Sequence, residues 1–118
     1  MLFIVSTPIG NLEDITYRAV RVLREVDFII CEDTRVSGKL LGHYEIKNEL
    51  VSFHGHSGDK KIHTIVERLQ EGEKAALISD AGTPGISDPG YTLIQKVLES
   101  KIELSPIPGP SAVLSALV

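Results

Sequence analysis

Five short apolar runs recur along this chain, and each is bounded by polar or turn-forming residues. A short continuous apolar run is typical of a strand that is buried on both faces, as in a parallel sheet. The runs therefore predict a sheet whose strands are largely hidden from solvent. The predicted strands cover residues 2–6, 27–32, 49–54, 74–79 and 102–107.

The segments between these runs place apolar residues at helical spacing. In residues 15–26 the apolar positions share one helical face with arginines between them, which predicts an amphipathic helix of about three turns. Gly72 is suited to the position just after a helix, and Pro89 is suited to a first helical turn. The remaining helices are predicted at 36–43, 62–69, 89–100 and 111–118.

Strand and helix patterns thus alternate five times, which predicts an α/β fold with a largely parallel five-stranded sheet flanked by helices. A chain of 118 residues is long enough for one domain with a core and too short for two. The last apolar helical pattern is still running at Val118. We therefore expect residues 1–118 to form an N-terminal domain, with a C-terminal domain absent from this chain.

Composition narrows the class of protein. A hydrophobic content of 42% with 24% charged residues is typical of a soluble globular domain. The net charge of −4 argues against nucleic-acid binding through bulk charge alone, although it leaves room for a local basic patch. Cys31 is the single cysteine, which excludes an internal disulfide and is typical of a reducing compartment. We find no membrane-spanning run and no signal peptide, so a cytoplasmic protein is expected.

Candidate chemistry lies in the segments that follow the five predicted strands. In an open parallel sheet, ligands bind beyond the carboxyl ends of the strands. Four of the five segments contain glycine, and several combine it with proline. Such residues let a ligand approach the backbone, but they also form tight turns without any ligand. The segments are "STPIGN", "EDTR", "HGHSG", "DAGTPGISDPG" and "PIPGPSA".

Several common sites are excluded by their missing motifs. The chain contains neither the Gly-x-Gly-x-x-Gly nor the P-loop phosphate fingerprint, and it lacks the Gly-x-Ser-x-Gly setting of a hydrolase nucleophile. His54 and His56 alternate at the end of a predicted strand, so we expect them to point to opposite faces. The sequence therefore predicts no metal site.

The acidic residues in these segments allow more than one interpretation. Asp80 and Asp88 are suited to capping a turn or a helix, and equally suited to contacting a ligand. Glu32 and Asp33 precede Thr34 and Arg35, which favours a paired functional cluster over a solvated strand end.

Arg18, Arg21 and Arg24 recur at three-residue spacing on one predicted helix. This pattern favours a solvated helix face, with contact to RNA phosphates as the alternative. Cys31 lies inside an apolar strand and is expected in the core.

Five ordered motifs carry a resemblance to a known family. They are "VSTPIGNLEDITYRAV", "ICEDTR", "SFHGH", "ALISDAGTPGISDPG" and "PIPGPSAVLSAL". Together they resemble the N-terminal half of the ribosomal RNA small subunit methyltransferase I family. That family is part of the tetrapyrrole methylase superfamily, the class III S-adenosylmethionine-dependent methyltransferases. The resemblance covers nearly all 118 residues.

The resemblance implies transfer of a methyl group from S-adenosylmethionine to the ribose 2′-hydroxyl of a cytidine in 16S rRNA. It implies two α/β domains, with the cofactor in the cleft between them, usually in a homodimer. Because half of that cleft is absent, we expect this chain alone to fold but to have little activity.

The resemblance also implies which residues contact the cofactor. In the superfamily the loop after the fourth strand usually reads Gly-Asp-Pro. Here Thr83 replaces the acidic residue, so Asp80 or Asp88 is left to supply a carboxylate. The implied cofactor residues are Pro8, Gly10, Asp80, Gly82, Thr83, Pro84, Asp88, Pro108, Gly109 and Ser111.

Methylation of a ribose hydroxyl needs a base, because the hydroxyl is a poor nucleophile at neutral pH. Glu32, Asp33 and His54 are the candidates by their position after predicted strands, and no spacing selects one of them. The candidate RNA contacts are Arg18, Arg21 and Arg35.

Two other functions remain alternatives at this point. One is methylation of a tetrapyrrole or another small molecule within the same superfamily. The motifs "CEDTR" and "SDAGTPGISDPG" argue against it, because they resemble the rRNA family more closely than the enzymes of the pigment pathways. The other is a non-catalytic nucleotide-binding or dimerisation module.

Overall fold

The computed structural model of the protein describes residues 1–86 and 89–118. Five strands and five helices alternate there as predicted, and the predicted strands are at most two residues too long at either end. The strands are β1 (Leu2–Val5), β2 (Phe28–Cys31), β3 (Leu50–Ser52), β4 (Ala75–Leu77) and β5 (Leu104–Ile107). The helices are α1 (Tyr17–Glu25), α2 (Thr34–His43), α3 (Gly58–Gln70), α4 (Gly90–Glu99) and α5 (Ala112–Leu117).

The strands form one sheet in the order β3-β2-β4-β1-β5, and every pairing between them is parallel. Leu2 of β1 lies between Ala75 of β4 and Leu104 of β5, which sets the register of the central strands. The predicted parallel α/β sheet is confirmed. Parallel order brings all five carboxyl ends to one edge, and the candidate loops therefore meet there.

Helices cover both faces of the sheet, which explains the continuous apolar runs. Ile4 and Ile30 pack against α3 and α4 on one face. The next residue in each strand, Val5 and Cys31, packs against α1 and α2 on the opposite face. Successive strand side chains point to opposite faces, so central strands between two helical layers need apolar residues at every position. The prediction that Cys31 lies in the core is confirmed, since it is fully buried.

At strand β4 the connection to the following helix runs to the opposite face of the sheet from the connections of its two neighbours. Its neighbours β1 and β2 lead to α1 and α2 on one face, whereas β4 leads to α4 on the other. Ligands of open α/β sheets bind in the crevice that such a divergence opens at the carboxyl ends of the strands. The fold therefore directs attention to the loop after β4.

Helix ends follow the predicted signals. Gly72 lies one residue beyond the C-cap of α3 with φ +99°, as predicted. Pro89 directly precedes the first residue of α4, as its fixed φ favours. The Thr16 hydroxyl accepts the Ala19 N–H at 3.0 Å and caps α1. In the described part of the chain, no helix has the length and apolar character required to cross a bilayer.

Arg68 links α3 to one edge of the sheet, the edge that lies opposite the candidate loops. Its guanidinium lies 3.8 Å from the centre of the Phe28 ring. It also pairs with Glu49 at 2.6 Å and with Glu73 at 2.7 Å. A side-chain hydrogen bond from Arg68 lowers the pKa of Glu73. This cation is therefore fully engaged in holding the fold.

Candidate functional site

The loops after β1 and β4 are joined directly through their backbones. The Thr7 N–H donates to the Gly82 carbonyl at 3.0 Å, and the Gly82 N–H donates back to the Thr7 carbonyl at 3.0 Å. The buried Thr7 hydroxyl also donates to the Ser79 carbonyl at 3.3 Å. These bonds hold the two loops in a fixed relation at the carboxyl ends of neighbouring strands.

Thr83 extends this connection to the loop after β5. Its hydroxyl donates to the Pro110 carbonyl at 2.9 Å. The Ser6 hydroxyl lies 2.7 Å from the same Thr83 oxygen. Because a threonine hydroxyl has one proton, and Pro110 receives it, Ser6 is the donor to Thr83. One hydroxyl thus links the loops that follow β1, β4 and β5.

The glycines of these loops are required by contacts between the loops. Gly82 has φ +81°, and a Cβ atom there would lie 3.2 Å from Ile9 Cγ2. A Cβ atom at Gly109 would lie 2.8 Å from the Ser6 Cβ, closer than real atoms approach. Gly85 also has a positive φ of 91°, whereas Gly90 begins α4. The turn-forming interpretation of Gly82 and Gly85 is therefore confirmed, and loop packing adds a reason for Gly109 that the sequence did not suggest.

The implied cofactor residues in the described chain all lie in these three joined loops. Asp88 lies outside the described residues. Ser111 caps α5, since its hydroxyl accepts the Leu114 N–H at 3.4 Å. Pro8, Gly82 and Pro84 are buried, Thr83 and Ser111 are half-buried, and Gly10, Asp80, Pro108 and Gly109 are exposed.

Asp80 is an exposed carboxylate in the loop after β4. It makes no hydrogen bond or ion pair with residues 1–86 or 89–118. Burial raises the pKa of the neighbouring Cys31 thiol, and the charges of Asp80 and Asp33 raise it further. Asp33 follows β2 and Asp80 follows β4, the strand that pairs with β2. Asp80 is available to a ligand, because nothing in the described chain neutralises it.

Asp33 has a structural role at the start of α2. Its carboxylate accepts the Arg35 backbone N–H at 2.9 Å, and the Arg35 Nε lies 3.6 Å from the same oxygen. The predicted pairing in this cluster is confirmed. The Arg35 N–H is the main cause of a lowered pKa at Asp33. A carboxylate with a lowered pKa is a weaker proton acceptor.

His54 and His56 lie in a turn beyond β3. The prediction that they point to opposite faces was wrong, because residues two apart in a strand lie on the same face and because β3 already ends at Ser52. The His56 N–H donates to His54 Nδ1 at 3.2 Å, and the two ring centres are 6.2 Å apart. Among the described residues, no group of three or more His, Cys, Asp and Glu side chains is placed to hold a metal ion.

The arginines of α1 divide between two hollows. Arg21 and Arg24 line a hollow of about 870 Å³, whereas Arg18 and Arg21 border a smaller one of about 130 Å³. All three arginines are exposed, so the prediction of a solvated helix face is confirmed, and each three-residue step turns the row by about 60°. Arg21 pairs with Glu25 at 3.1 Å, so part of the row is already neutralised.

Two cavities flank the joined loops. One of about 540 Å³ lies between the β1–α1 loop and α2, with Asp80 in its wall. The other, of about 460 Å³, lies between the β1–α1 loop and the loop after β5. Rigid loops of small residues, a carboxylate without an ionic partner in the described part of the chain, and adjoining space fit a ligand that combines a cation with polar groups. S-adenosylmethionine, with its sulfonium and amino-acid tail, is such a ligand.

Sequence reasoning missed the two residues that follow β1. Ser6 and Thr7 are 2% and 0% exposed, and their hydroxyls bond to the loop after β4. Ser6 ends the first predicted strand and Thr7 follows it, and that position was the available signal, since all such strand ends meet at the same sheet edge.

The fold and site define a doubly wound parallel α/β domain with candidate ligand-binding loops at the carboxyl edge of its sheet. More particularly, the chain belongs to the family Tetrapyrrole (Corrin/Porphyrin) Methylases, whose sequence model matches residues 1–118. This membership confirms the resemblance seen in the five motifs.

Curated relatives refine the comparison. The chain is 52% identical over 117 residues to ribosomal RNA small subunit methyltransferase I of Pasteurella multocida, covering 99% of this chain and 42% of that protein. It is 53% identical over 116 residues to the protein of the same name from Thermotoga maritima, covering 98% of this chain and 52% of that protein. The chain thus spans about half or less of the length of these relatives.

Solved structures share the fold at low sequence identity. A cobalt precorrin-4 methyltransferase superposes with a TM-score of 0.76 at 20% identity, covering 98% of this chain and 48% of that one. Uroporphyrin-III-C-methyltransferase from Thermus thermophilus superposes with a TM-score of 0.71 at 22% identity, covering 98% of this chain and 51% of that one. Each match extends over nearly the whole chain and confirms its fold.

Replacing Thr83 with valine is expected to lower the free energy of unfolding by about 1–3 kcal/mol. Valine keeps the shape of threonine but leaves the buried Ser6 hydroxyl and the Pro110 carbonyl without their partner. Urea denaturation of the wild type and the variant measures the difference. Thr64→Val is the matched control, because Thr64 is exposed and its hydroxyl bonds only to the Lys60 carbonyl of its own helix. Equal midpoints for Thr83→Val and the wild type would contradict the role of Thr83.

Proposed function

We propose that this chain is the N-terminal domain of an S-adenosylmethionine-dependent methyltransferase that methylates the ribose 2′-hydroxyl of a cytidine in 16S rRNA. The observation that carries the proposal is the identity of about 50% to relatives named ribosomal RNA small subunit methyltransferase I, which extends over nearly the whole chain. The greater length of those relatives supports a second domain. A homodimeric assembly and a cytoplasmic location are part of the same proposal.

The tetrapyrrole alternative has less support. The solved precorrin and uroporphyrin methyltransferases are only 20–22% identical to this chain, a level at which they inform the fold and not the substrate. The non-catalytic alternative is opposed by family membership, since the family is named for methylases.

S-adenosylmethionine, when bound, supplies a methyl group on a positively charged sulfur. We assign its contacts to the three joined loops, with Thr83 holding those loops in place and Asp80 offsetting the positive charge. Pro8, Gly10 and Gly109 would form surfaces that the cofactor approaches closely. Preformed loops reduce the ordering cost of binding and hold the methyl group in line with its acceptor. The isolated chain is expected to have little activity, because the rest of the cleft lies outside it.

A base is needed to take the proton of the ribose hydroxyl, and the geometry favours Glu32 among the three candidates. Asp33 is engaged in capping α2 and has a lowered pKa. His54 follows β3, the outer strand of the sheet, two strands away from β4. Glu32 is half-buried and follows β2, directly beside β4. We choose it among the three candidates because it follows a strand that pairs with β4.

Deletion of the gene is expected to abolish one ribose-methylated cytidine in 16S rRNA. Mass-spectrometric mapping of ribose methylation in rRNA from deleted and wild-type cells measures this change. A plasmid copy of the gene should restore the modification, which controls for indirect effects. An unchanged methylation map would contradict the proposed function.

A further inference from the structure

The β1–α1 loop has a short exposed tip, residues 10–14, between two flanking residues that pack against the domain. Ile9 lies against Gly82, and Ile15 packs against the apolar cluster beneath α1 and α2. Residues 10–14 are all exposed. Packing therefore fixes the two ends of the tip and leaves the tip itself to be held by hydrogen bonds.

The hydrogen bonds inside the tip shape a turn without attaching it to the domain. The Asn11 carbonyl accepts the Asp14 N–H at 2.9 Å, and the Asn11 side-chain oxygen accepts the Glu13 N–H at 2.9 Å. Gly10 comes directly before this turn and has φ +134°, a conformation that glycine adopts readily. The position of the turn relative to the rest of the domain thus depends on a contact from outside it.

Tyr44, the C-cap residue of α2, supplies that contact. Its hydroxyl donates to the Leu12 carbonyl, 32 positions away in the chain. In the part of the chain that the structure describes, this is the one hydrogen bond between residues 10–14 and another element. It therefore attaches the exposed tip to the end of α2.

Tyr44 is itself held firmly. The Arg24 guanidinium donates to its backbone carbonyl at 2.8 Å, and the His43 ring meets the Tyr44 ring edge-on with centres 5.0 Å apart. The Tyr44 ring also packs against the apolar cluster beneath α1 and α2. Burial raises the pKa of the Tyr44 phenol and the charge of Asp14 raises it further, so the hydroxyl keeps the proton that it donates. The donor is thus in place before any ligand binds.

The tip borders the space beside Asp80. Gly10 and Leu12 line the cavity of about 540 Å³ together with Asp80. Leu12 also lines the hollow of about 870 Å³ beside α1, so the tip forms part of the wall of both spaces. Tyr44 lines only the hollow beside α1. Any effect of Tyr44 on a ligand next to Asp80 therefore passes through the tip of the loop.

We propose that Tyr44 is a positioning residue of the cofactor site, which holds the tip of the β1–α1 loop beside Asp80 before S-adenosylmethionine binds. The inference deepens the proposed function and rests on it, because Gly10 and Asp80 are assigned to that cofactor. A segment that is already ordered costs less to bind than one that the ligand must order. Without the Tyr44 hydroxyl, the ligand has to order the tip, and its affinity falls accordingly.

The test is calorimetric titration of the complete protein with S-adenosylmethionine and with S-adenosylhomocysteine. Tyr44→Phe is expected to weaken binding of both ligands by the same factor of about three to ten, the range that one lost hydrogen bond gives. The factor is the same because the order of the tip does not depend on the charge of the sulfur. With small ribosomal subunits as acceptor, KM for S-adenosylmethionine should rise while kcat stays within about twofold.

Tyr17→Phe is the matched control. Tyr17 lines the same hollow beside α1, is 98% exposed, and its hydroxyl has no hydrogen-bond partner among residues 1–86 and 89–118. Removing that hydroxyl should leave the affinity for both ligands unchanged. An equal loss of affinity in Tyr17→Phe and Tyr44→Phe would overturn the proposal.

Hydrogen exchange shows where the effect arises. In the free protein, Tyr44→Phe should speed exchange at the Glu13 and Asp14 amides, which bond only within the tip, and saturating S-adenosylhomocysteine should remove the difference. Faster exchange throughout the sheet would overturn the proposal, because a general loss of stability would then account for weaker binding.

Wild-type affinity of Tyr44→Phe for both ligands would also overturn the positioning role. Failure of the proposed function has a different signature. An unchanged rRNA methylation map in the deleted strain, with weaker binding of both ligands by Tyr44→Phe, would support the role of Tyr44 and contradict the assigned reaction.

Discussion

Replacing Asp80 with asparagine is expected to weaken binding of S-adenosylmethionine to the complete protein by about ten- to a hundredfold. Asp80 is exposed and has no ionic partner in the described chain, so its charge is available to the sulfonium. An interaction with a charged group is commonly worth about 1.5–3 kcal/mol, which corresponds to that range in affinity. Asparagine keeps the size of the side chain and removes its charge. Calorimetric titration measures the change.

S-adenosylhomocysteine makes this experiment specific to the charge. It differs from the methyl donor by the missing methyl group and has a neutral sulfur, so Asp80→Asn should bind it nearly as tightly as the wild type does. An equal loss of affinity for both ligands would contradict a contact between Asp80 and the sulfonium. Asp59→Asn, on α3 across the sheet, is the control for net charge. The same titration with Asp88→Asn decides between the two aspartates that the sequence left open.

The fold was predictable because each central strand is covered by helices on both sides. A strand such as β2 must then be apolar at consecutive positions, and that run stands out from the helical spacing around it. Strand ends were less predictable. The prediction placed residues 49–54 in β3, yet the strand is Leu50–Ser52. The Glu49 carbonyl and the Phe53 N–H make the last hydrogen bonds to β2, at 2.8 and 2.7 Å, and side-chain character does not report that point.

The loops of the site were predictable as a set, because parallel strands bring every carboxyl end to one edge. The contacts between these loops were not predictable. In the sequence Thr83 only replaces an acidic residue of the superfamily motif, yet in the structure its hydroxyl joins Ser6 to Pro110. Gly109 fits because the Ser6 Cβ leaves no room for a side chain. Both facts depend on residues more than 20 positions apart, which local patterns do not relate.

The two interpretations of the glycine-rich loop after β4 are compatible. Gly82 is required by its positive φ and by the approach of Ile9, so its role is structural. The same packing removes long side chains from the rim and leaves Asp80 exposed there. A rigid rim costs little to order when a ligand binds. The residues that fix the backbone of this loop thus also shape the surface where a ligand would meet the neighbouring polar groups.

Replacing Glu32 with glutamine is expected to lower kcat for methyl transfer by about a hundred- to ten-thousandfold, the range typical of a lost general base. Glutamine keeps the shape of glutamate but cannot take the proton of the ribose hydroxyl. Affinity for S-adenosylmethionine should change little, since that contact is assigned to the loops after β1, β4 and β5. Single-turnover transfer of a radiolabelled methyl group to small ribosomal subunits measures the chemical step directly.

Asp33→Asn and His54→Asn are the matched variants for this prediction, and each should lower kcat by less than about tenfold. Asparagine caps helices as well as aspartate does, so Asp33→Asn removes the charge without freeing the start of α2. The lowered pKa of Asp33 already makes it a weak base, and its removal should therefore matter less. A larger decrease in kcat for Asp33→Asn or His54→Asn than for Glu32→Gln would contradict the assignment. It would transfer the role of base to that residue.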